Sequence, residues 1–153
     1  ASALRAAARA YDGRGPSTAL LGAVTAALNI ADFRATVSIF YGPSARNPAF
    51  LCPVVNRVAS AGDPVALALF DSAADDLAEA VQSAACGLRL EHSPLLVSYQ
   101  GGAAECCPLL VSRMADRIRE RLPQARVIPP RTSPAMGAYL LACRWLGWEG
   151  ALE

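Results

Sequence analysis

Apolar positions recur at helical spacing along most of this chain. Residues 2–10 place Leu4 and several alanines on one side and Arg5 and Arg9 on the other, which predicts a short helix broken by Asp12-Gly13-Arg14-Gly15-Pro16. Leu20, Leu21, Val24 and Leu28 predict a second helix over 18–28, with Ser17 or Thr18 as its cap. A third, 32–40, starts at Asp32, buries Phe33, Val37 and Phe40, and stops at Tyr41-Gly42-Pro43-Ser44. A fourth, 46–61, turns Phe50, Val54, Val55 and Val58 inward, and Pro53 within it demands a kink or a first-turn position. Gly62-Asp63-Pro64 is a stop and a restart: Gly62 closes one helix, Asp63 caps the next, and Pro64 suits a first helical position, where its missing N–H costs nothing. The long helix after it, 64–86, carries Leu67, Phe70, Ala74, Leu77 and Val81 on one face.

After Gly87 the period changes. Leu95-Leu96-Val97 reads as a short, fully buried strand, and Gly101-Gly102 turns from it into a helix over 106–122. Ala125–Ile128 is a second short strand, stopped by Pro129-Pro130, and Ser133 caps a last helix, 134–147, with Pro134 in its first turn. Strand–helix–strand–helix order predicts parallel pairing through a right-handed crossover. Two parallel strands do not make an independent sheet, so one edge at least is expected to pair with strands from elsewhere. The expected organisation is a single partial domain, 1–153: a helical region 1–90, a strand–helix–strand–helix core 91–147 and a tail 148–153. The fold class is α/β, mostly helical, with two short parallel strands and an incomplete sheet.

Composition adds one point. The apolar fraction is 54% and the mean hydropathy +0.29, which has two readings. Alanine-rich helices inflate the apolar count, or a surface is meant to be covered by another domain or subunit. Net charge is +1 with both signs interspersed, and Arg113, Arg117, Arg119 and Arg121 alternate with Asp116 and Glu120 as a solvated helix face does. Neither nucleic acid nor an acidic membrane is called for. The five cysteines, Cys52, Cys86, Cys106, Cys107 and Cys143, lack disulfide-framework and zinc-site spacing. Cys52, Cys86 and Cys143 are expected as small core residues, in a cytoplasmic, reducing setting. No apolar run reaches membrane-spanning length, and no signal peptide is visible.

The candidate chemistry sits at the strand–Gly-Gly–helix unit, Leu95 to Glu105. Glycine has no Cβ and tolerates positive φ, so a ligand can approach this backbone closely. The plain alternative is a tight turn with no ligand. Asp12-Gly13-Arg14-Gly15 comes after a helix, which is the wrong context for a phosphate loop. His92 has no nucleophile partner and reads as a solvated loop residue. Gly137 reads as a helix-packing position, and vicinal Cys106-Cys107 as structural, with redox activity as the alternative.

Four segments, in chain order, resemble one family. They are Ala3-Leu4-Arg5-Ala6 through Asp12-Gly13-Arg14-Gly15-Pro16-Ser17-Thr18-Ala19-Leu20, then Ala61-Gly62-Asp63-Pro64-Val65-Ala66, then Gly101-Gly102, then Ser133-Pro134-Ala135-Met136-Gly137-Ala138. Together they resemble the C-terminal portion of the BadF/BcrA-type ATPase family, which includes N-acetylglucosamine and glucosamine kinases of the actin-like ATPase superfamily. The resemblance implies an RNase H-like lobe closing over a nucleotide with a first lobe. It implies that the phosphate loops, the general-base Asp and three further strands precede Ala1. It also implies an adenosine-side site at Gly101, Gly102, Ala103 and Cys106, with a second contact from Ala49 and Phe50. The helix after the glycines offers free N–H groups as well. Here Ala103-Ala104-Glu105 stands where the family has a β-branched residue and an aromatic or Lys.

The function so implied is the C-terminal lobe of an ATP-dependent amino-sugar kinase, inactive alone. ATP is the cofactor, Mg is held through the other half, and the amino sugar is bound there too. The partners implied are that N-terminal lobe or a second subunit, in a homodimer. A non-catalytic interaction protein with a degenerate lobe stands as the alternative, and a dehydratase-activating ATPase subunit ranks below it because the cysteines lack cluster-like spacing.

Overall fold

A computed structural model describes residues 2–148. The tail assigned to 148–153 lies outside the described residues except for Trp148. Among the described residues eight α-helices and two strands run in the order α1 (Ser2–Tyr11), α2 (Leu20–Leu28), α3 (Thr36–Tyr41), α4 (Cys52–Ser60), α5 (Pro64–Gly87), β1 (Leu95–Ser98), α6 (Gly102–Cys106), α7 (Pro108–Arg121), β2 (Ala125–Ile128) and α8 (Pro134–Trp145). The chain is thus mostly helical with two short strands, and these pair in parallel, Leu95 opposite Ala125 and Ser98 opposite Ile128.

The 24-residue α5 is the spine, because its two halves serve two cores. Its first half, through Ala66 and Phe70, packs with Leu4 and Ala7 of α1, Leu20 and Val24 of α2, Phe33, Phe40, Leu51 and Val58. Its second half, through Ala74, Ala78 and Ala85, packs with Met114, Ile118 and Leu122 on and beside α7 and with Ala125 of β2. Small alanines on α5 let α7 approach closely. The pair is clamped at its rim by ion pairs from Arg113 to Asp71 and from Arg117 and Arg121 to Asp75, the last two at 3.2 and 3.4 Å.

Asp63 joins the helical layer. Its carboxylate accepts from the Ala66 N–H at 2.9 Å, capping α5, and from the Ala19 N–H at 2.8 Å and the Thr18 hydroxyl at 2.9 Å, at the start of α2. Thr18 Oγ1 in turn accepts from the Leu20 N–H at 3.1 Å. The predicted caps at Asp32 and Ser133 are present, accepting from the N–H groups of Arg34 and Met136.

Several predicted details are corrected, each for a local reason. The segment 32–40 is a 3-10 turn, Phe33–Ala35, running into α3, and the tighter winding rotates the buried face. Thr36 is buried in place of Val37, its hydroxyl donating to the Phe33 carbonyl at 2.7 Å, while Val37 is 62% exposed. The span 46–61 likewise divides into a 3-10 turn, Pro48–Leu51, and α4, with Pro53 in the first turn; Leu51 takes the inward place expected of Phe50, which is exposed, and Val54 and Val55 are only half-buried. Ala85 takes the buried place at the end of α5 and leaves Cys86 exposed. Gly137 is not closely packed, since a Cβ there would meet nothing nearer than Thr132 Oγ1 at 3.9 Å.

The strand prediction fails most instructively. β1 is not fully buried: Leu95 and Val97 face the α5–α7 layer, while Leu96 is 63% exposed. Among the described residues helices cover one face of the sheet, and no third strand pairs with either edge. α8 is equally uncovered. Cys143 is its single buried residue, and Met136, Tyr139, Leu141 and Trp145 are exposed, Trp145 by 87%. A helix this apolar on nearly all sides is of the kind that is ordinarily buried.

Candidate functional site

β1 ends at Ser98, and Tyr99-Gln100-Gly101-Gly102 carries the chain over to α6. Gly101 has φ 121° and ψ 158°, a region essentially closed to residues with a Cβ, which is why the turn requires glycine there. Gly102 opens α6, and a Cβ built on it would meet nothing within 4 Å. The space beside both glycines is therefore open, as a site for close backbone approach must be.

Next to this turn lies a cavity of about 430 Å³. Leu77 and Val81 of α5 form one wall, Leu110, Val111 and Met114 of α7 a second, and Val97, Tyr99, Gln100, Ala103 and Ala104 close the end. Its position explains why Leu77, expected to be buried, is 41% exposed: it faces the cavity. The walls are apolar, with polar groups confined to Ser98, Tyr99 and Gln100 at the strand end. The Gln100 amide donates to the Thr132 carbonyl at 3.3 Å, tying this end of β1 to the approach to α8. Ligands in open α/β sheets bind outside the carboxyl ends of parallel strands, and the cavity occupies that position.

The structure brings together only some of the predicted site residues. Ala103 lines the cavity, and Gly101 and Gly102 lie between two residues that do, Gln100 and Ala103. Cys106 is exposed at the end of α6 and lines no part of it. Ala49 and Phe50 are on the 3-10 turn before α4, apart from the cavity, and the Phe50 ring stacks on Phe40 at 6.1 Å between centroids. The helix expected at 106–122 is α7, Pro108–Arg121, and a separate five-residue turn, α6, stands between it and the glycines. One turn carries too small a dipole for its N–H groups to make an anion site, so the free N–H groups expected after the glycines offer none here. Leu77, Val81, Leu110 and Met114 escaped the sequence reading as lining residues. The signal was present, for each helix offers its pair at i, i+4, but such pairs also describe a filled core.

At the junction of α6 and α7, Cys107 is buried and its thiol donates to the Cys52 carbonyl at 3.6 Å. Burial pushes the Cys107 thiol up to about 11, with the neighbouring Cys52 and Cys106 thiols adding to the effect. Among the described residues no group of three His, Cys, Asp or Glu side chains could hold a metal ion, and no single helix is long and apolar enough to cross a membrane.

No family model matches the chain, and no solved structure matches it. Two curated proteins do. An N-acetyl-D-glucosamine kinase of Dictyostelium discoideum is 30% identical over 145 residues, which are 91% of this chain and 45% of that protein. An N-acetylmuramic acid/N-acetylglucosamine kinase of Clostridium acetobutylicum is 24% identical over 142 residues, 92% of this chain and 46% of that protein. The chain spans a little under half the length of these relatives. The matches bear out the resemblance to the C-terminal portion of the BadF/BcrA-type kinases that the ordered motifs imply.

Proposed function

We propose that this chain is the C-terminal lobe of an ATP-dependent amino-sugar kinase with an actin-like ATPase fold, and that it supplies the adenosine side of the nucleotide site. The observation that carries the reading is the Gly101-Gly102 turn at the carboxyl end of β1, open beside an apolar cavity of about 430 Å³. The names of the two relatives support the substrate class. The residues present fit the flat, apolar part of a nucleotide. Leu77, Val81, Leu110 and Met114 offer an apolar slot, the glycines admit a ring or ribose against the backbone, and the Gln100 amide adds a polar group at its mouth.

They do not fit the rest of the nucleotide. The described residues offer no set of carboxylates for Mg, and the exposed Glu105 just past the glycines repels phosphate. Phosphate and Mg ligands, the sugar site and the general base are assigned to a first lobe. ATP, when bound, supplies the phosphoryl group to be transferred. This chain's part is to hold the base, orient the nucleoside and exclude water from it. The bare sheet face around Leu96, the unpaired strand edges and the uncovered α8 are where the rest of the fold, or a second subunit of a homodimer, would pack. The chain alone turns over no sugar.

Calorimetric titration with ATP and ADP tests this. Saturable binding that Gly102→Val abolishes supports the adenosine site, and a Cβ at Gly102 meets nothing within 4 Å. Co-expression with a phosphate-loop-bearing N-terminal half should restore sugar-dependent ATP turnover. Turnover by this chain alone sinks the reading. A well-folded chain that binds no nucleotide with or without that half points instead to a non-catalytic interaction protein, which the uncovered α8 would also suit.

A further inference from the structure

Cys52 and Cys107 stand 55 positions apart in sequence and meet at the seam between the helical layer and the glycine turn. Cys107 sits between α6 and α7 with its thiol donating to the Cys52 carbonyl at 3.6 Å, and the Cys52 side chain is among the groups that push the Cys107 thiol up. Both residues line the same cavity of about 230 Å³, whose other walls include Val55, Phe70, Ala103 and Leu110. Cys52 is half-buried and Cys107 is buried. The cavity therefore gives a small oxidant a path to the pair, and meets Cys52 as the more accessible sulfur. Ala103 belongs to both this cavity and the larger one beside the glycines.

We infer that Cys52 and Cys107 are a modification site: a dithiol that a small hydroperoxide converts to an internal disulfide, pinning the α6–α7 junction to α4. In the first step the Cys52 sulfur attacks the peroxide, the O–O bond breaks, Cys52 becomes a sulfenic acid and one oxygen leaves as water. In the second the Cys107 sulfur attacks the Cys52 sulfur, the S–O bond breaks, and the sulfenic oxygen leaves as water with the Cys107 proton. Two thiols lose two electrons and two protons, and one hydrogen peroxide is reduced to two waters. Burial raises the Cys107 thiol, so it is spared direct oxidation, and the second step, which draws on its thiolate, quickens as pH rises. This dithiol chemistry is independent of nucleotide binding, and either can fail without the other.

The test is hydrogen peroxide at low stoichiometry, rapid alkylation under denaturing conditions, and non-reducing peptide mapping by mass spectrometry. The expected result is joint loss of two of the five thiols and a peptide pair joining Cys52 to Cys107, reversed by dithiothreitol. The linkage should persist in Cys106→Ser and vanish in Cys52→Ser. A vicinal Cys106–Cys107 bridge overturns the inference. So does sulfinic acid on Cys52 with no cross-link, or disulfides formed between molecules only.

Discussion

Asp63 offers the sharpest test of how the helical layer is held. Asp63→Ala removes the cap of α5, worth about 1 kcal/mol. It also strands the Ala19 N–H and the Thr18 hydroxyl, which donate to the same carboxylate at 2.8 and 2.9 Å. Each of those bonds is to a charged acceptor but lies at a partly exposed site, so about 1 kcal/mol apiece is a discounted value. The sum is about 3 kcal/mol, which for a domain of this size lowers Tm by roughly 10 °C. Asp63→Asn keeps one acceptor oxygen and should lose about half as much.

The pH dependence has its origin in the same bonds. Burial pushes the Asp63 carboxyl up, but the N–H groups of Ala66 and Ala19 and the Thr18 hydroxyl outweigh it and hold the folded group below its usual value of 3.8. A carboxyl with a lowered folded pKa contributes stability that is present above 3.8 and is lost as pH falls through the folded value. The Tm gap between wild type and Asp63→Asn should therefore be full at pH 7 and should shrink below about pH 4. Thermal unfolding, monitored by circular dichroism, measures both. A gap under about 1 kcal/mol at neutral pH, or one that grows in acid, contradicts this account of the carboxylate.

Three further outcomes are expected. Gly101→Ala forces a Cβ into the φ 121° conformation and should cost about 1–3 kcal/mol in a denaturant titration, whereas Gly102→Ala should leave stability unchanged or slightly raised. Alkylation against pH should show Cys107 reacting only as pH nears 11; because its folded value is raised from 9.0, it adds stability below pH 9 that is lost between 9 and 11. Asp75→Ala leaves Arg117 and Arg121 without their shared partner on α5 and should cost about 0.5–1 kcal/mol, a loss that shrinks as salt is raised in urea unfolding.

Much of the architecture was legible because single residues announce it. Asp63-Pro64 and Ser133-Pro134 fix where α5 and α8 begin, since a cap before a proline satisfies the first turn and little else. The separation of α7 from the short turn before it was legible too. Pro108 bars Cys107 from helical backbone, and Cys107 does take φ −131° and ψ 75°, so the break between α6 and α7 is written in the sequence. The reversed exposures of Val37 and Phe50 were not legible, because a 3-10 turn shifts the buried face without leaving a pattern of its own.

The cavity exposes a deeper limit, and the surface shares it. Leu77 reads as core because apolar spacing records only that a face is withheld from water, not what lies against it. On α5 the occupant of that space is neither side chain nor solvent-facing charge, and the same ambiguity runs through Leu96, Tyr139 and Trp145. Each belongs to an element whose sequence is that of an interior, yet each is exposed among the described residues. Apolar patterning fixes interiors for the assembled molecule. On the proposed reading of the chain as a lobe, these exposed apolar side chains are the ones it would use against the rest of the fold.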